Sequence, residues 1–509
     1  MTYVVYQKIG SRVYVYEAEA YYDKEKKQAR QKRKYLGRVA PETGEIIPKR
    51  TTKIRVALDY GDVAFVYQSI IETGLYSILN KVYGKEITNI LTALIIYKIV
   101  EPMPLVRIER WYDRTYLRDT EVGLSSQNIS RVLACLGDDY RTHQDFFAEW
   151  ISKWGKELIV FYDITSMESA VKLNELLEYG YTRSGENLMQ LNFGLVLNYE
   201  NSLPLYYKIF PGSLPDVRTL KNMMIELQSY GINHCFFILD RGFYSLQNIY
   251  ELHNNKMDFL MPMPFTTKIS DDIISKHKKD LELPENAVKY DDEVLYIKKD
   301  KIKLNGIELS YLLYYDKEKE AIDTNRFYKR MFEIEDRLKK IRKFRWPVND
   351  VVEEIAGKYK SYLDRELKNG KIVTVRKSEA ISKYLNRLGK TILITNRHDL
   401  TWLEMLDYYK AKDDIEKLFR TIKSDLEGLP MRTDKKETTL GYLFVLFLSS
   451  IVTSYIRRKM RASEINLSLP ELLLELSKIR KMILYDGKEI ISELTREQKS
   501  LVNALNLNL

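Results

Sequence analysis

The chain has 509 residues, enough for several domains, and a formal net charge of +10. This basic surplus favours a polyanionic partner such as nucleic acid, although a soluble protein without such a partner can carry a similar charge. Two cysteines and five scattered histidines exclude a disulfide scaffold, a thiolate zinc site and a histidine-rich metal site. A catalytic metal would therefore be a hard cation such as Mg²⁺ held by carboxylates.

Residues 1–60 are predicted to form a β-hairpin followed by a basic segment. Alternation of residue types over 3–20, around Gly10-Ser11, is typical of two paired strands. Basic runs are most often solvated surface, but tyrosines flank this one, and we therefore predict a contact with double-stranded DNA. The predicted contact residues are Lys26, Lys27, Arg30, Lys32, Arg33 and Lys34.

Residues 61–155 are predicted to be a helical DNA-binding region. Within it, the segment 124–133 has a polar first turn before an apolar helix, as a DNA-reading helix would have. Ordinary helix caps have the same pattern, so a helix-turn-helix motif is one of two interpretations.

Residues 156–265 carry an α/β pattern. We predict strands at 157–163, 187–197, 203–210, 234–240 and 259–263, and helices at 216–230 and 245–255. Three strands, a helix, a strand and a helix in this order are expected for a ribonuclease H-like core with a mixed central sheet.

The rest of the chain completes this core around an insertion. Residues 266–390 form a predicted insertion subdomain, β-rich at first and then helical over 317–345 and 348–387. Residues 391–430 restore the core with a strand and a helix, and 431–509 form a C-terminal helical region. The apolar run 440–456 is interrupted by Gly441 and by hydroxyl side chains, so we predict a buried helix and no membrane partner. The N-terminus lacks the pattern of a secretory signal, and we expect a cytoplasmic, nucleoid-associated protein.

Three acids are the candidate catalytic residues. Asp163 and Asp240 each end an apolar strand in the predicted fold, and Glu416 lies on the helix beyond the insertion. Open α/β sheets place ligands at the carboxyl ends of their strands. Three carboxylates at one edge would repel one another unless they held cations, which predicts a two-metal site for phosphodiester chemistry.

The segment 407–423 is predicted to be one amphipathic helix. At about 100° per residue, Tyr409, Lys412, Glu416 and Lys423 fall on one face, with Arg420 close to it. An exposed helix with ordinary salt bridges would have a similar pattern. The two upstream acids favour the catalytic interpretation.

These motifs resemble those of the DDE transposases of prokaryotic insertion sequences, in the superfamily marked by Tyr-x2-Arg-x3-Glu-x6-Lys. The last acid here lies in Tyr409-x2-Lys412-x3-Glu416-x6-Lys423, with lysine in place of arginine. The other matching blocks are Tyr162-Asp163-Ile-Thr-Ser166, Phe210-Pro-Gly-Ser-Leu-Pro-Asp216 and Asp240-Arg241-Gly-Phe243.

The resemblance implies cut-and-paste transposition by a homodimer bound to terminal inverted repeats and to target DNA. It implies Mg²⁺, with Mn²⁺ able to substitute, bound by Asp163, Asp240 and Glu416. DNA contacts are expected from Tyr409, Lys412, Arg420, Lys423 and Arg241. The chain departs from the superfamily pattern in two ways: Lys412 lacks the bidentate geometry of arginine, and the insertion is partly helical. Both departures concern the formation of a DNA hairpin more than the metal chemistry. A nuclease without strand transfer and an inactive, domesticated DNA-binding protein are the alternatives.

Overall fold

A computed structural model of the protein describes residues 2–24, 26–39, 44, 46–48, 54–120, 122–155, 158–170, 176–179, 189–341, 348–368 and 371–509. The chain divides into two compact units. Unit 1 comprises Met1–Glu72, Pro104–Ser125 and Lys459–Leu509, and unit 2 comprises Thr73–Met103 and Ser126–Arg458. The finer, six-part division expected from the sequence stays a prediction.

The chain begins with a four-stranded antiparallel sheet in the order β1-β2-β3-β4, followed by a fifth strand. These strands are β1 Thr2–Ile9, β2 Arg12–Asp23, β3 Gln28–Val39, β4 Ile46–Pro48 and β5 Ile54–Asp59. The pairing of β1 with β2 confirms the predicted hairpin, and Gly10 takes the positive φ of +61° that its turn requires. Lys26 and Lys27 of the basic segment lie in the turn before β3, and Arg30, Lys32, Arg33 and Lys34 lie within β3.

Five helices follow, as the apolar periodicity predicts. They are α1 Gly61–Glu72, α2 Leu75–Val100, α3 Ile108–Tyr112, α4 Ser126–Asp138 and α5 Tyr140–Trp154. In α4 and α5 the apolar side chains lie on one buried stripe, and Asp139 caps α5 by accepting a bond from the Thr142 amide.

The central sheet of unit 2 contains ten strands, and its first six come from the predicted α/β region. They are β6 Ile159–Glu168, β7 Glu178–Tyr179, β8 Met189–Asn198, β9 Pro204–Pro211, β10 Phe236–Leu239 and β11 Asp258–Pro262. Helices α6 Leu220–Ser229 and α7 Leu246–Asn254 lie between β9 and β11 in the chain. The spatial order is β9-β8-β6-β10-β11, with β6, β10 and β11 parallel and with β8 antiparallel to β6 and β9.

The β-rich half of the insertion extends this same sheet. After α8 Lys268–His277 come β12 Ala287–Tyr290, β13 Glu293–Leu304 and β14 Ile307–Asp316. The predicted core strand is β17 Lys390–Thr395, which pairs antiparallel with β11 on one side and β14 on the other. The insertion therefore begins as a continuation of the core sheet.

The second half of the insertion has its own apolar core. Its elements are α9 Lys317–Lys340, α10 Val348–Ala356, β15 Leu363–Lys368, β16 Lys371–Arg376 and α11 Ser378–Leu385. Phe327, Met331 and Ile334 of α9 pack with residues of the other elements. The prediction of one helix over 348–387 is wrong, because β15 and β16 form a hairpin there. Asn369-Gly370, the pair between these strands, is a strong hairpin signal in the sequence but lies outside the described residues.

The C-terminal part begins after α12 Trp402–Lys410, α13 Asp413–Arg420 and a π-helical turn at Thr421–Asp425. Its elements are α14 Lys436–Ala462, α15 Leu469–Ser477, β18 Arg480–Leu484, β19 Glu489–Ile491 and α16 Arg496–Ala504. The predicted C-terminal helical region contains three helices and also two strands, because β18 pairs with both β5 and β19. The Asp486-Gly487 pair favours this turn, and Gly487 has a φ of +80°.

Among the helices that the structure describes, α14 is long and apolar enough to cross a membrane, judged by length and composition alone. The helices Leu75–Val100 and Leu105–Tyr112, which are bent relative to each other, meet these criteria only when they are taken as one span. Inside the protein, 83% of the most apolar window of α14 is buried. Residues such as Phe444, Phe447 and Ile451 are fully covered. This agrees with the prediction of a buried core helix.

Candidate active site

Two of the predicted acids lie side by side at the carboxyl end of β10. The parallel pairing of β6 and β10 aligns Tyr162 with Leu239, so that Asp163 and Asp240 take the next positions on neighbouring strands. Asp240 follows the last residue of its strand, as predicted. The prediction that Asp163 ends its strand is wrong, because β6 continues to Glu168 by pairing with β8.

Local hydrogen bonds fix both carboxylates. Asp163 is buried, and its Oδ1 accepts a bond of 2.8 Å from the amide of Ile164. Asp240 caps the short 3₁₀ turn Arg241–Phe243, where its Oδ1 accepts a bond of 2.7 Å from the Arg241 amide. In both acids, the backbone amide of the following residue therefore holds one carboxylate oxygen in place.

The predicted single helix over 407–423 is wrong. Helix α12 ends at Lys410, Ala411 and Lys412 form a turn, and α13 begins at Asp413. The amides of Lys412 and Ile415 bond to carbonyls three residues earlier, which is the tighter pattern of a 3₁₀ turn. Tyr409 thus lies on one helix and Glu416 on the next, and the two residues do not share one continuous helical face.

The side chain of Lys412 links the acids. Its Nζ lies 3.1 Å from Asp240 Oδ1 and 3.1 Å from Glu416 Oε1. Only 12% of the Lys412 side chain is exposed, against 60% for Glu416. Burial acts to lower the pKa of Lys412, but the Asp240 and Asp163 carboxylates outweigh it and hold this pKa above its ordinary value. The ammonium is therefore a fixed positive charge among three carboxylates.

The donor set fits a hard divalent cation by its chemistry. Its oxygens come from three carboxylates, and they already surround one positive charge, the Lys412 ammonium. Among the residues that the structure describes, no three acidic, histidine or cysteine side chains form a ready-made metal cluster. A metal ion bound by all three acids would therefore need their side chains to lie closer together than they do in this structure.

Tyr409 and Arg241 lie next to this group of charges. Burial raises the pKa of Tyr409 to about 12, with a further contribution from Asp240 that Lys412 and Arg241 oppose. The phenol therefore stays protonated and can donate a hydrogen bond. Arg241 and Arg420 are exposed, and Lys423 is half-buried in the π-helical turn after α13. The basic residues of the N-terminal segment all belong to unit 1.

Two buried asparagines hold the loops around the acids, and the sequence did not reveal them. Asn248 Nδ2 donates to the carbonyl of Val217 at 2.9 Å and to that of Phe243 at 2.8 Å. This amide thus ties the turn after Asp240 to the turn that begins at Asp216. Asn192 similarly donates to three carbonyls of the Pro-Gly-Ser-Leu motif that precedes Asp216, namely those of Pro211, Gly212 and Leu214. Single buried amides leave no spacing pattern in a sequence, which explains why both were missed.

Comparison with known proteins identifies one matching family. Residues 154–452 match the family described as the transposase DDE domain. No curated protein sequence matches the chain. Among solved structures, a cryo-EM structure of the piggyBac transposase synaptic complex with hairpin DNA aligns with 82% of this chain and 70% of its own. Its TM-score is 0.36 at 9% sequence identity, too low to support any argument about this protein.

Proposed function

Because the chain belongs to the transposase DDE-domain family, which covers residues 154–452, we propose that it is a DNA transposase that cuts element ends and joins them to target DNA. One observation carries this proposal. Asp163 and Asp240 occupy adjacent positions on parallel strands, and the lysine that contacts Asp240 also contacts Glu416. These contacts support the assignment of three acids from distant parts of the sequence to one site.

The strand order supports a ribonuclease H-like core. Numbered by their place in the core, the strands lie in the order 3-2-1-4-5, and the first acid is on the central strand. The second acid follows the neighbouring parallel strand, at the sheet edge where α/β folds place their ligands. The insertion between the second and third acids, which extends this sheet, matches the position expected for the insertion-sequence superfamily.

Asp163, Asp240 and Glu416 would hold two Mg²⁺ ions, or Mn²⁺ in their place. Such ions activate a water or a 3′-hydroxyl and stabilise the leaving oxygen of a phosphodiester. The protein contributes fixed carboxylates, two of them anchored by backbone amides on the sheet. Lys412 neutralises part of their charge, and its ammonium would be able to contact a DNA phosphate at the same site.

The surrounding polar side chains are proposed to position DNA. Tyr409, Lys412, Arg420, Lys423 and Arg241 would contact the backbone of a terminal inverted repeat, within a homodimer that holds two ends. Tyr409 is a protonated donor beside Asp240, and Arg241 is exposed directly after it. Lysine at 412 provides a single point charge where the superfamily has arginine.

The test compares acid variants with a matched neighbour. Asp163→Asn, Asp240→Asn and Glu416→Gln should each lower cleavage of an end-labelled terminal duplex by at least about 100-fold, because loss of a metal ligand exceeds the loss of a supporting contact. End binding should change little. The control is Asp413→Asn, which removes the same charge from the exposed first turn of α13.

Product analysis on a denaturing gel separates the functions. Joined products in Mg²⁺ or Mn²⁺ identify a transposase, whereas cleavage without joining identifies a nuclease of the same core. Binding with no cleavage in the wild-type protein would instead indicate a domesticated DNA-binding protein. Normal nicking by any of the three acid variants would remove that residue from the site.

A further inference from the structure

The basic residues of β3 are divided between the two faces of the N-terminal sheet. In an antiparallel sheet, residues directly opposite each other point to the same face, and successive residues alternate between faces. β2 places Glu17 opposite Lys34, Ala18 opposite Arg33 and Glu19 opposite Lys32. Lys34 and Lys32 therefore share a face with two glutamates, and Arg33 lies on the opposite face.

The first of these faces, which we call the lysine–glutamate face, is internally compensated. Lys34 Nζ lies 3.8 Å from Glu17 Oε2, and Lys32 is directly opposite Glu19. At the far end of the hairpin, Arg30 Nε lies 3.4 Å from Asp23 Oδ2. Carboxylates thus oppose three cations of the basic segment, Arg30, Lys32 and Lys34.

The second face, which we call the tyrosine–arginine face, has a different composition. Arg12 lies on it, Arg33 is opposite Ala18, and Arg38 is opposite Tyr14. None of the described positions of β1, β2 and β3 on this face holds a carboxylate. Its tyrosines are Tyr3, Tyr14, Tyr16, Tyr22 and Tyr35.

Contacts across the strands order this second face. The Arg33 guanidinium donates to Gln7 Oε1 at 3.2 Å and to Gln31 Oε1 at 3.0 Å, so its partners are neutral amides. The Tyr35 ring packs against those of Tyr14 and Tyr16, with centroids 6.0 Å and 5.4 Å apart. The guanidinium keeps its full charge at a fixed position.

We propose that the tyrosine–arginine face, and not the lysine–glutamate face, is the surface of the N-terminal sheet that binds duplex DNA. This inference rests on the proposed function and identifies its binding face. Phosphate binding gains free energy from cations that release counterions, and a cation already opposed by a carboxylate gains less. Arginine also binds phosphate oxygens bidentately, and tyrosine hydroxyls are common phosphate donors. The glutamates of the other face would repel the DNA backbone.

Two triple variants with equal loss of charge test the proposal in the full-length protein. The first changes Arg12, Arg33 and Arg38 to glutamine, and the second changes Arg30, Lys32 and Lys34 to glutamine. Binding is measured as a function of salt on a duplex of the sequence that flanks the gene and on a scrambled duplex. Each lost phosphate contact should reduce the slope of log affinity against log salt by about 0.9. The magnitude of this slope should therefore fall by about 2 to 3 in the first variant and by less than about 1 in the second.

Two neighbouring tyrosines give a test without any change in charge. Tyr22 lies on the tyrosine–arginine face and is 62% exposed, whereas Tyr21 lies on the other face and is 49% exposed. Tyr22→Ala should weaken duplex binding several-fold, and Tyr21→Ala should leave it unchanged. Thermal unfolding of every variant checks that the sheet remains folded.

The outcomes separate this inference from the proposed function. Equal loss in the two triple variants, or greater loss in the second, overturns the assignment of the face while the protein remains a DNA-binding protein. Retained binding in both triples assigns the contact to another part of the chain and also overturns it. A wild-type protein that binds neither duplex contradicts the proposed function itself.

Discussion

Two lysines of unit 2 are largely shielded from water, Lys98 fully and Lys412 in part, but their environments have opposite effects on the pKa. Lys412 contacts the carboxylates of Asp240 and Glu416, and its pKa is raised. Lys98 on α2 is 1% exposed, and its Nζ lies 3.4 Å from the carbonyl of Glu427 and 5.4 Å from the centre of the Tyr442 ring. Burial lowers the pKa of Lys98 to about 8, despite an opposing effect of Glu427.

The difference shows that the partners of a buried lysine decide the sign of its pKa shift. At Lys98, a backbone carbonyl, a tyrosine ring and the charge of Glu427 compensate only part of the cost of removing an ammonium from water. Ionised carboxylates at Lys412 exceed that cost. The fold tolerates the positive charge of Lys98, whereas it requires the positive charge of Lys412.

The largest effect is expected from Lys412→Met in the absence of divalent cations. The change leaves Asp163, Asp240 and Glu416 near one another without a positive charge. Because two of these carboxylates are partly exposed, the free energy of unfolding should fall by about 2–3 kcal/mol, less than for a fully buried pair. Chemical denaturation in EDTA measures this loss, and Mg²⁺ should restore part of it.

The control for this variant is Lys410→Met. Lys410 Nζ lies 3.1 Å from Glu293 Oε2, but both side chains are more than 40% exposed. Stability should change by less than about 1 kcal/mol there. An equal loss in both variants, or no response of Lys412→Met to Mg²⁺, would show that Lys412 is not a substitute for a bound cation.

A smaller effect of opposite sign is expected from Lys98→Met. The folded pKa is about 8 and the ordinary value is 10.5, so between these pH values the unfolded chain binds more protons. The buried charge thus costs stability in full below pH 8, and the cost disappears as the pH rises towards 10.5. Lys98→Met should raise the free energy of unfolding at pH 7 by about 1–2 kcal/mol.

Thermal unfolding from pH 7 to 10 should show this gain shrinking as the pH rises. Lys85→Met, at an exposed lysine of the same helix, should show neither the gain nor its pH dependence. A constant gain at all pH values would attribute the effect to packing of the methionine and not to the charge.

The smallest effect is expected at an ion pair on the surface. Lys34 and Glu17 have side chains that are 78% and 42% exposed. Lys34→Gln should change the free energy of unfolding by less than about 0.5 kcal/mol, because water already solvates both groups. A denaturation curve that shifts as far as that of Lys412→Met would break the distinction between buried and exposed pairs.

The sequence predicts the sheet better than it predicts the contacts of the third acid. Buried strands such as β10 are apolar throughout and end at a polar residue, and this places Asp240 correctly. The break between α12 and α13 has no local signal, because Ala411 and Lys412 are both good helix formers. Tertiary packing decides it, since Leu406 and Ile415 on either side are both fully buried.

Turn chemistry explains two further errors. The Asn369-Gly370 and Asp486-Gly487 pairs predict hairpins more strongly than the surrounding charged residues predict helices. The division of the β3 cations between two faces could have been read from strand parity once the hairpin was assigned. A count of the charges in the basic segment does not reveal this division, because the count carries no information about strand parity.

The position of β17 limits how the protein can be shortened. Both hydrogen-bonding edges of this strand are paired, one with β11 and the other with β14. A variant without residues 266–389 would retain all three acids, but the edge of β17 that pairs with β14 would be exposed. Lys390-Thr-Ile-Leu-Ile-Thr395 is rich in β-branched residues and carries one charge, which is the composition of a strand that recruits other chains. Such a truncated protein should therefore aggregate before any loss of its chemistry could be measured, so the inserted hairpin protects the sheet edge and cannot be treated as a removable appendage.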